Sequence, residues 1–359
     1  MSVRRRILGL AAGAAGVAVA GTAVEVARRR RRIVARRGAG DAAELGSLHS
    51  RPVTVVADDG VPLHVEVDEV PQAEQPGGEP GHPPLTVVFC HGYALNLDCW
   101  HFQRAAYRGL VRTVLYDQRS HGRSGRSTLG HATIEQLGRD LRRIIDEVVP
   151  EGPIVLVGHS MGGMTVIALA EEFPELFGDR VVGAALVSTT AGGLDPSRVL
   201  LPVLPMSLGS DLTHRAVALL GRGHRSVDRV RRLGRGVAMV ATDLWAFGDA
   251  VPASYVDFVD RMLSATPFEV VAEFFPSFRL LDKFSALVAL ERVPTAIICG
   301  TGDRLTSVGH SRKLHANIPG STLLECEKAG HMVILERHDQ VNAELDQLLA
   351  AAAEAVERR

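Results

Sequence analysis

Residues 155–164 read VLVGHSMGGM, a run of branched apolar residues broken by a glycine, a histidine and a serine, then followed by small residues. The apolar run predicts a buried strand, and GGMTVIALAEEF directly after it predicts a helix. Gly158-His159-Ser160-Met161-Gly162 therefore fits G-x-S-x-G, and it sits at the strand-to-helix corner that this motif requires. Such a corner strains the backbone at the serine, and Gly158 and Gly162 remove side chains that would collide there. The turn lifts the Ser160 hydroxyl above the sheet edge and points a helix N-terminus at the place where an oxyanion would form.

Working outward, seven more short apolar runs surround this strand: VTVVADD, VPLHVEV, LTVVFCHG and VRTVLYDQ before it, then VVGAALVST, PTAIICGTGD and STLLECEKAGH after it. Helix-period segments such as TIEQLGRDLRRIIDEVV lie between the later runs. This alternation predicts an α/β fold, with a mostly parallel eight-stranded sheet carrying helices on both faces. The first two runs meet at a tight turn of Asp59 and Gly60, which predicts an antiparallel hairpin at one edge. PQAEQPGGEPGHPP, residues 71–84, reads as a surface loop. The stretch from Thr190 to Pro294 is longer than a simple crossover needs, so a helical cap is expected over 192–278, inserted in a core formed by 41–191 and 279–359. Met206, Trp245, Phe247, Tyr255, Phe258, Phe274 and Phe275 are its candidate pocket or packing residues.

A lone serine is a weak nucleophile and needs a base and an orienting acid. Asp303 in GTGDRLTS and His331 in KAGHMVILE each follow a strand-forming run, which puts both on the sheet edge that carries Ser160. Asp195, after the sixth run, is the competing acid; Asp303 is preferred for its glycine-flanked turn at a strand end. His91-Gly92-Tyr93 follows the third run, where the backbone N–H of Tyr93 can join that of Met161 as an oxyanion hole. His91 is read as a brace of this loop, and His159 as a neighbour of the nucleophile that is not a second base.

Composition limits the alternatives. Hydrophobic residues make up 46% of the chain and charged residues 23%, which suits a folded globular body. The net charge of -1 hides an uneven distribution, because residues 1–40 hold ten arginines and one acid, Glu25. The remainder is acidic, which argues against nucleic acid as a partner. Those arginines flank an uncharged run, residues 7–24, long enough to span a bilayer as a helix. Segment 1–40 is thus expected to be a membrane anchor or a signal. Seven arginines follow the run and three precede it, a bias that favours an anchor with the catalytic body in the cytoplasm. The alternative is export by a twin-arginine-like signal, given Arg4-Arg5-Arg6-Ile7-Leu8 and the small residues Ala18-Val19-Ala20. Cys90, Cys99, Cys299 and Cys326 have no metal-ligand spacing and read as buried thiols.

On HGY, YDQRSHGRSG, GHSMGG, GTGDRLT and AGHMVILE, the chain from about Val53 to its end resembles the α/β-hydrolase superfamily, within its esterases, cofactor-free haloperoxidase-like perhydrolases and C–C bond hydrolases. The resemblance implies a Ser160–His331–Asp303 triad, no metal or organic cofactor, and Asp117 and Arg119 as supports of a loop beside the site. Serine at the elbow separates the chain from the dehalogenases and epoxide hydrolases that use aspartate there. His-Gly-Tyr differs from the His-Gly-Gly-Gly of one lipase class. The expected activity is hydrolysis of carboxylic esters or thioesters of apolar acids. The alternatives are C–C bond hydrolysis or perhydrolysis with the same triad, or a non-catalytic binding protein on this fold. Oligomeric state is not legible.

Overall fold

The computed structural model describes residues 25, 27–36, 44–71, 84–128, 130–194 and 235–358. The apolar run 7–24, most of the loop 71–84, Asp195, Met206 and the first cap segments lie outside these residues. All eight apolar runs form strands: β1 (Pro52–Val56), β2 (Pro62–Asp68), β3 (Thr86–Cys90), β4 (Arg112–Tyr116), β5 (Ile154–His159), β6 (Val181–Val187), β7 (Thr295–Gly300) and β8 (Thr322–Cys326). They form one sheet in the order β1-β2-β4-β3-β5-β6-β7-β8. β1 and β2 pair antiparallel, β2 is antiparallel to β4, and every other pairing is parallel.

The helices of ten or more residues in the core are α2 (Ile134–Val148), α3 (Met161–Glu172), α7 (Val308–Asn317) and α8 (His338–Glu357), with the shorter α1 (His101–Tyr107) after β3. Alternation along the strands divides the core in two. Val87, Phe89, Val155 and Val157 join Trp100, Tyr107, Leu345 and Leu348 in one cluster, beside α1 and α8. Val88, Cys90, Ile154 and Leu156 join Leu141, Val166, Leu169 and Leu314 in the other, beside α2, α3 and α7. The central parallel strands β3, β5, β6 and β7 are buried at every position, as a sheet covered on both faces requires.

α1 carries a buried charge. The Arg104 guanidinium donates to Asp68 from Nε at 2.8 Å and from Nη2 at 2.7 Å, and to Glu66 from Nη1 at 2.8 Å. Burial by itself would raise Glu66, but hydrogen bonds from Ser50, His64 and Arg104 bring it down to about 2. These acids of β2 are satisfied where a lone buried carboxylate would be costly.

The chain winds in opposite directions on leaving β3 for β4 and on returning for β5, which leaves a crevice at the carboxyl ends of β3 and β5. After β6, Gly192 pairs with Asp282 in an isolated antiparallel bridge, and Lys283 N–H donates to Ala191 O at 2.7 Å. This neck bounds the cap helices α4 (Arg235–Ala246), α5 (Ala253–Ala265) and α6 (Phe268–Arg279). Of the expected cap residues, Phe247, Tyr255, Phe258, Phe274 and Phe275 are buried packing residues. Residues 27–34 are also helical, and Ile33 at their end is fully buried in the apolar cluster that holds Phe247, Val251 and Val256. Among the described residues no helix is long and apolar enough to cross a membrane.

Candidate active site

β5 ends at His159 and α3 begins at Met161, so the single residue between strand and helix is Ser160. Its φ of 54° lies in the left-handed region, an unfavourable conformation for a serine. Hydrogen bonds fix it there. Its N–H donates to Val187 O at 2.8 Å, and its carbonyl accepts from the Thr189 hydroxyl at 2.6 Å and from Gly163 N–H at 2.9 Å. The sharp turn presses backbone on backbone. A Cβ on Gly162 would lie 2.0 Å from Cys90 O, and one on Gly158 would lie 2.4 Å from Gly162 O.

Asp303 follows β7, and His331 follows β8 in a turn before the short helix Val333–Glu336. The structure brings the three side chains into one chain of hydrogen bonds. His331 Nε2 is 2.9 Å from Ser160 Oγ, and His331 Nδ1 is 2.8 Å from Asp303 Oδ2. A carboxylate only accepts, so Nδ1 carries the proton and Nε2 turns its lone pair to the serine hydroxyl. Asp303 is buried, which would raise its pKa. The adjacent imidazole, Leu305 and Thr306 N–H groups and the Thr306 hydroxyl outweigh that and hold it below the ordinary range. It stays an anion beside the imidazole, where it can orient the ring and stabilise a positive charge on it.

Thr306 was not singled out by its sequence. Its hydroxyl sits 2.9 Å from Asp303 Oδ2 and 2.8 Å from Ser188 O, so it ties the acid loop to the end of β6. Only its spacing, three residues after Asp303 in a turn, hinted at this.

Two further histidines lie in the site, His91 bonded through both ring nitrogens and His159 through one. His159 donates from Nε2 to the His331 carbonyl at 2.9 Å, and burial, with His331 nearby, pushes its pKa down to about 3. Its Nδ1 faces Gly92, where a Cβ would lie 2.8 Å away. His91 donates from Nδ1 to Gly92 O at 2.7 Å and accepts from Gln118 N–H at 2.9 Å, with its pKa lowered to about 4 by burial. Neutral and doubly bonded, His91 braces the loop that carries Tyr93. Gln118 closes this frame, donating to His91 O and accepting from Thr165 Oγ1 at 2.8 Å.

Met161, the first residue of α3, has a backbone N–H with no intrahelical acceptor, at the helix end that favours negative charge. Its side chain is buried in a third apolar cluster with Met164, Val270, Phe274 and Phe278, against which Tyr93 packs. The Tyr93 ring meets Phe278 edge-on with centroids 4.9 Å apart, and its hydroxyl donates to Val271 O on α6. The loop at Tyr93 and the cap are thus joined directly beside Ser160. Asp117 accepts from Leu97 N–H and Arg123 N–H, each at 2.8 Å, and Arg119 is buried between Asp140 and Asp59. Both support the loop after β4. All four cysteines are buried and unpaired, and among the described residues no group of His, Cys, Asp or Glu is arranged to hold a metal ion.

Comparison with known proteins agrees with this architecture. Residues 87–344 match the Alpha/beta hydrolase family. An uncharacterized protein of Mycobacterium tuberculosis is 28% identical over 259 residues, covering 68% of this chain and 69% of its own length. A monoacylglycerol lipase of Mycolicibacterium smegmatis is 31% identical over 115 residues, 31% of this chain and 41% of that protein. The solved structure of a thermophilic esterase from Thermogutta terrifontis superposes with a TM-score of 0.65 at 22% identity, over 84% of this chain and 99% of its own. At that identity the superposition speaks for the fold.

Proposed function

Because the chain belongs to the Alpha/beta hydrolase family, we propose that it is a serine hydrolase that cleaves carboxylic esters or thioesters of apolar acids. The observation that carries this reading is the continuous path from Ser160 Oγ through His331 to Asp303, with steps of 2.9 and 2.8 Å. Ser160 attacks the acyl carbon as its proton passes to His331 Nε2, and Asp303 stabilises the imidazolium. The amides of Tyr93 and Met161 receive the carbonyl oxygen as it gains charge. His331 returns the proton to the leaving alkoxide or thiolate, and an acyl-enzyme remains. Water, deprotonated by the same imidazole, releases the acid. No cofactor enters these steps.

The apolar cluster of Met161, Val270, Phe274 and Phe278 next to the elbow supports acids with a hydrocarbon portion, and the M. smegmatis relative is a monoacylglycerol lipase. Residues 7–24 are proposed as a membrane anchor, with the catalytic body on the cytoplasmic side.

The test is hydrolysis of a chain-length series of activated esters by wild type and Ser160→Ala, with labelling by a fluorophosphonate probe. The variant loses turnover by several orders of magnitude and takes no label, because a triad acts as a unit. Wild-type hydrolysis by the folded variant would refute the role of Ser160.

A further inference from the structure

The helical residues 27–34 and the residues just after them rest on the body along one face. Of residues 27–36, only Arg29, Ile33 and Arg36 are not exposed, and their spacing of four and three places them in one stripe. Ile33 enters the core. The Arg36 guanidinium forks onto Asp243 of α4, with one arm at 3.3 Å, and the Arg36 carbonyl accepts from Ala253 N–H at 3.3 Å. This docking carries Arg29 to the rim of a cavity of about 190 Å³, whose lining also includes Arg36, Arg304, Asp243, Asp249 and Phe247.

The charges around this cavity are unequally satisfied. Asp243 is taken by Arg36, and Asp249 by Arg337 at 3.3 Å. Among the described residues neither Arg29 nor Arg304 has a carboxylate at ion-pair distance; Arg304 is steadied by one bond, from Nη1 to Leu244 O at 2.7 Å. Two guanidinium groups, from elements far apart in sequence, thus face one polar space. Planar forks of N–H donors match the oxygens of a phosphate, and a cation placed there would meet like charge.

We propose that this cavity binds a phosphate-bearing anion between Arg29 and Arg304. Two sources share that chemistry, the headgroup of an anionic phospholipid and a free phosphoester. Ile33 lies nine positions after Val24, about 14 Å along a helix. If residues 7–24 lie in a bilayer, the cavity sits at headgroup depth, so the lipid source rests on the anchor reading and the phosphate site does not.

The experiment is native mass spectrometry of the full chain in detergent, titrated separately with inorganic phosphate, an ether-linked phosphatidylglycerol and an ether-linked phosphatidylcholine. None of these probes has an ester bond to hydrolyse, so the readout is independent of Ser160. One phosphatidylglycerol is retained per chain, displaced by phosphate, and phosphatidylcholine is retained far less. Replacing both arginines, Arg29→Gln with Arg304→Gln, weakens retention roughly tenfold or more. Arg30→Gln with Arg31→Gln, on the exposed side of the same run, leaves it unchanged. Phosphate binding without phosphatidylglycerol keeps the site and assigns it to a free phosphoester. Wild type that retains neither anion, or an equal loss in the Arg30 and Arg31 variant, overturns the proposal.

Discussion

The corner at Ser160 is held mainly by backbone atoms, whereas the cap above it is held by side chains. At the corner, Gly158 and Gly162 touch carbonyl groups of neighbouring segments, and the Ser160 N–H and C=O are both bonded to the end of β6 or the loop after it. The cap rests on the apolar contacts of Val270, Phe274 and Phe278 and on a few polar clasps. Tyr93 provides one clasp. Glu336 provides another: its carboxylate accepts from Gly330 N–H beside His331 and from Gly248 and Asp249 N–H after α4. Backbone contacts have no smaller variant to relax into, and side-chain contacts do. The two regions therefore differ in what a substitution breaks: chemistry or folding at the corner, substrate handling and pH response at the cap.

The largest effect belongs to the corner. Asp303→Asn removes the anion that fixes the proton on His331 Nδ1, and kcat for ester hydrolysis falls roughly 10³- to 10⁴-fold with little change in KM. An unchanged kcat in a folded variant would break the assignment of Asp303. Gly162→Ala comes next and acts on folding, because its methyl group would lie 2.0 Å from a backbone oxygen. It lowers unfolding free energy by about 3 kcal/mol or more, read as a shift of the urea midpoint.

The cap predictions are smaller. Burial raises Glu336 from an ordinary 4.5 to about 6, so between these values the folded chain binds more protons than the unfolded one. Stability attached to that proton is present below pH 4.5 and is lost as pH rises through 6, a change of about 2 kcal/mol. Glu336→Gln lacks it: the difference in urea midpoint between variant and wild type changes from pH 4.5 to pH 7, and a constant difference would remove Glu336 as its source. Tyr93→Phe removes the bond to Val271 O, about 1 kcal/mol. It raises KM more than it lowers kcat, since it loosens the cap and leaves the Tyr93 amide in place; an effect confined to kcat would contradict that division.

The sheet was legible because each strand is short, apolar and bounded by turn residues, and parity along it matches the two faces. Ser160, Asp303 and His331 were legible because each lies in the turn after a strand, so sequence position converts directly into position on one edge. Thr306, Gln118 and Glu336 were not. Their roles consist of bonds to backbone groups far away in sequence, such as Glu336 to Gly248, and no local pattern records such a partner. Ile33 was not legible either, because it stands in an arginine run and no local pattern records the distant cluster that buries it.

Ile33 also decides how the chain can be shortened. Cleavage after Ala20 would remove most of the apolar run, deletion through Val24 all of it, and both keep every core side chain described. Deletion through residue 40 would also take Ile33 from a fully buried position, exposing part of its cluster at about 2–5 kcal/mol. A shortened chain that keeps this packing therefore begins before residue 27, and loss of activity in a chain cut at 40 would report damaged packing.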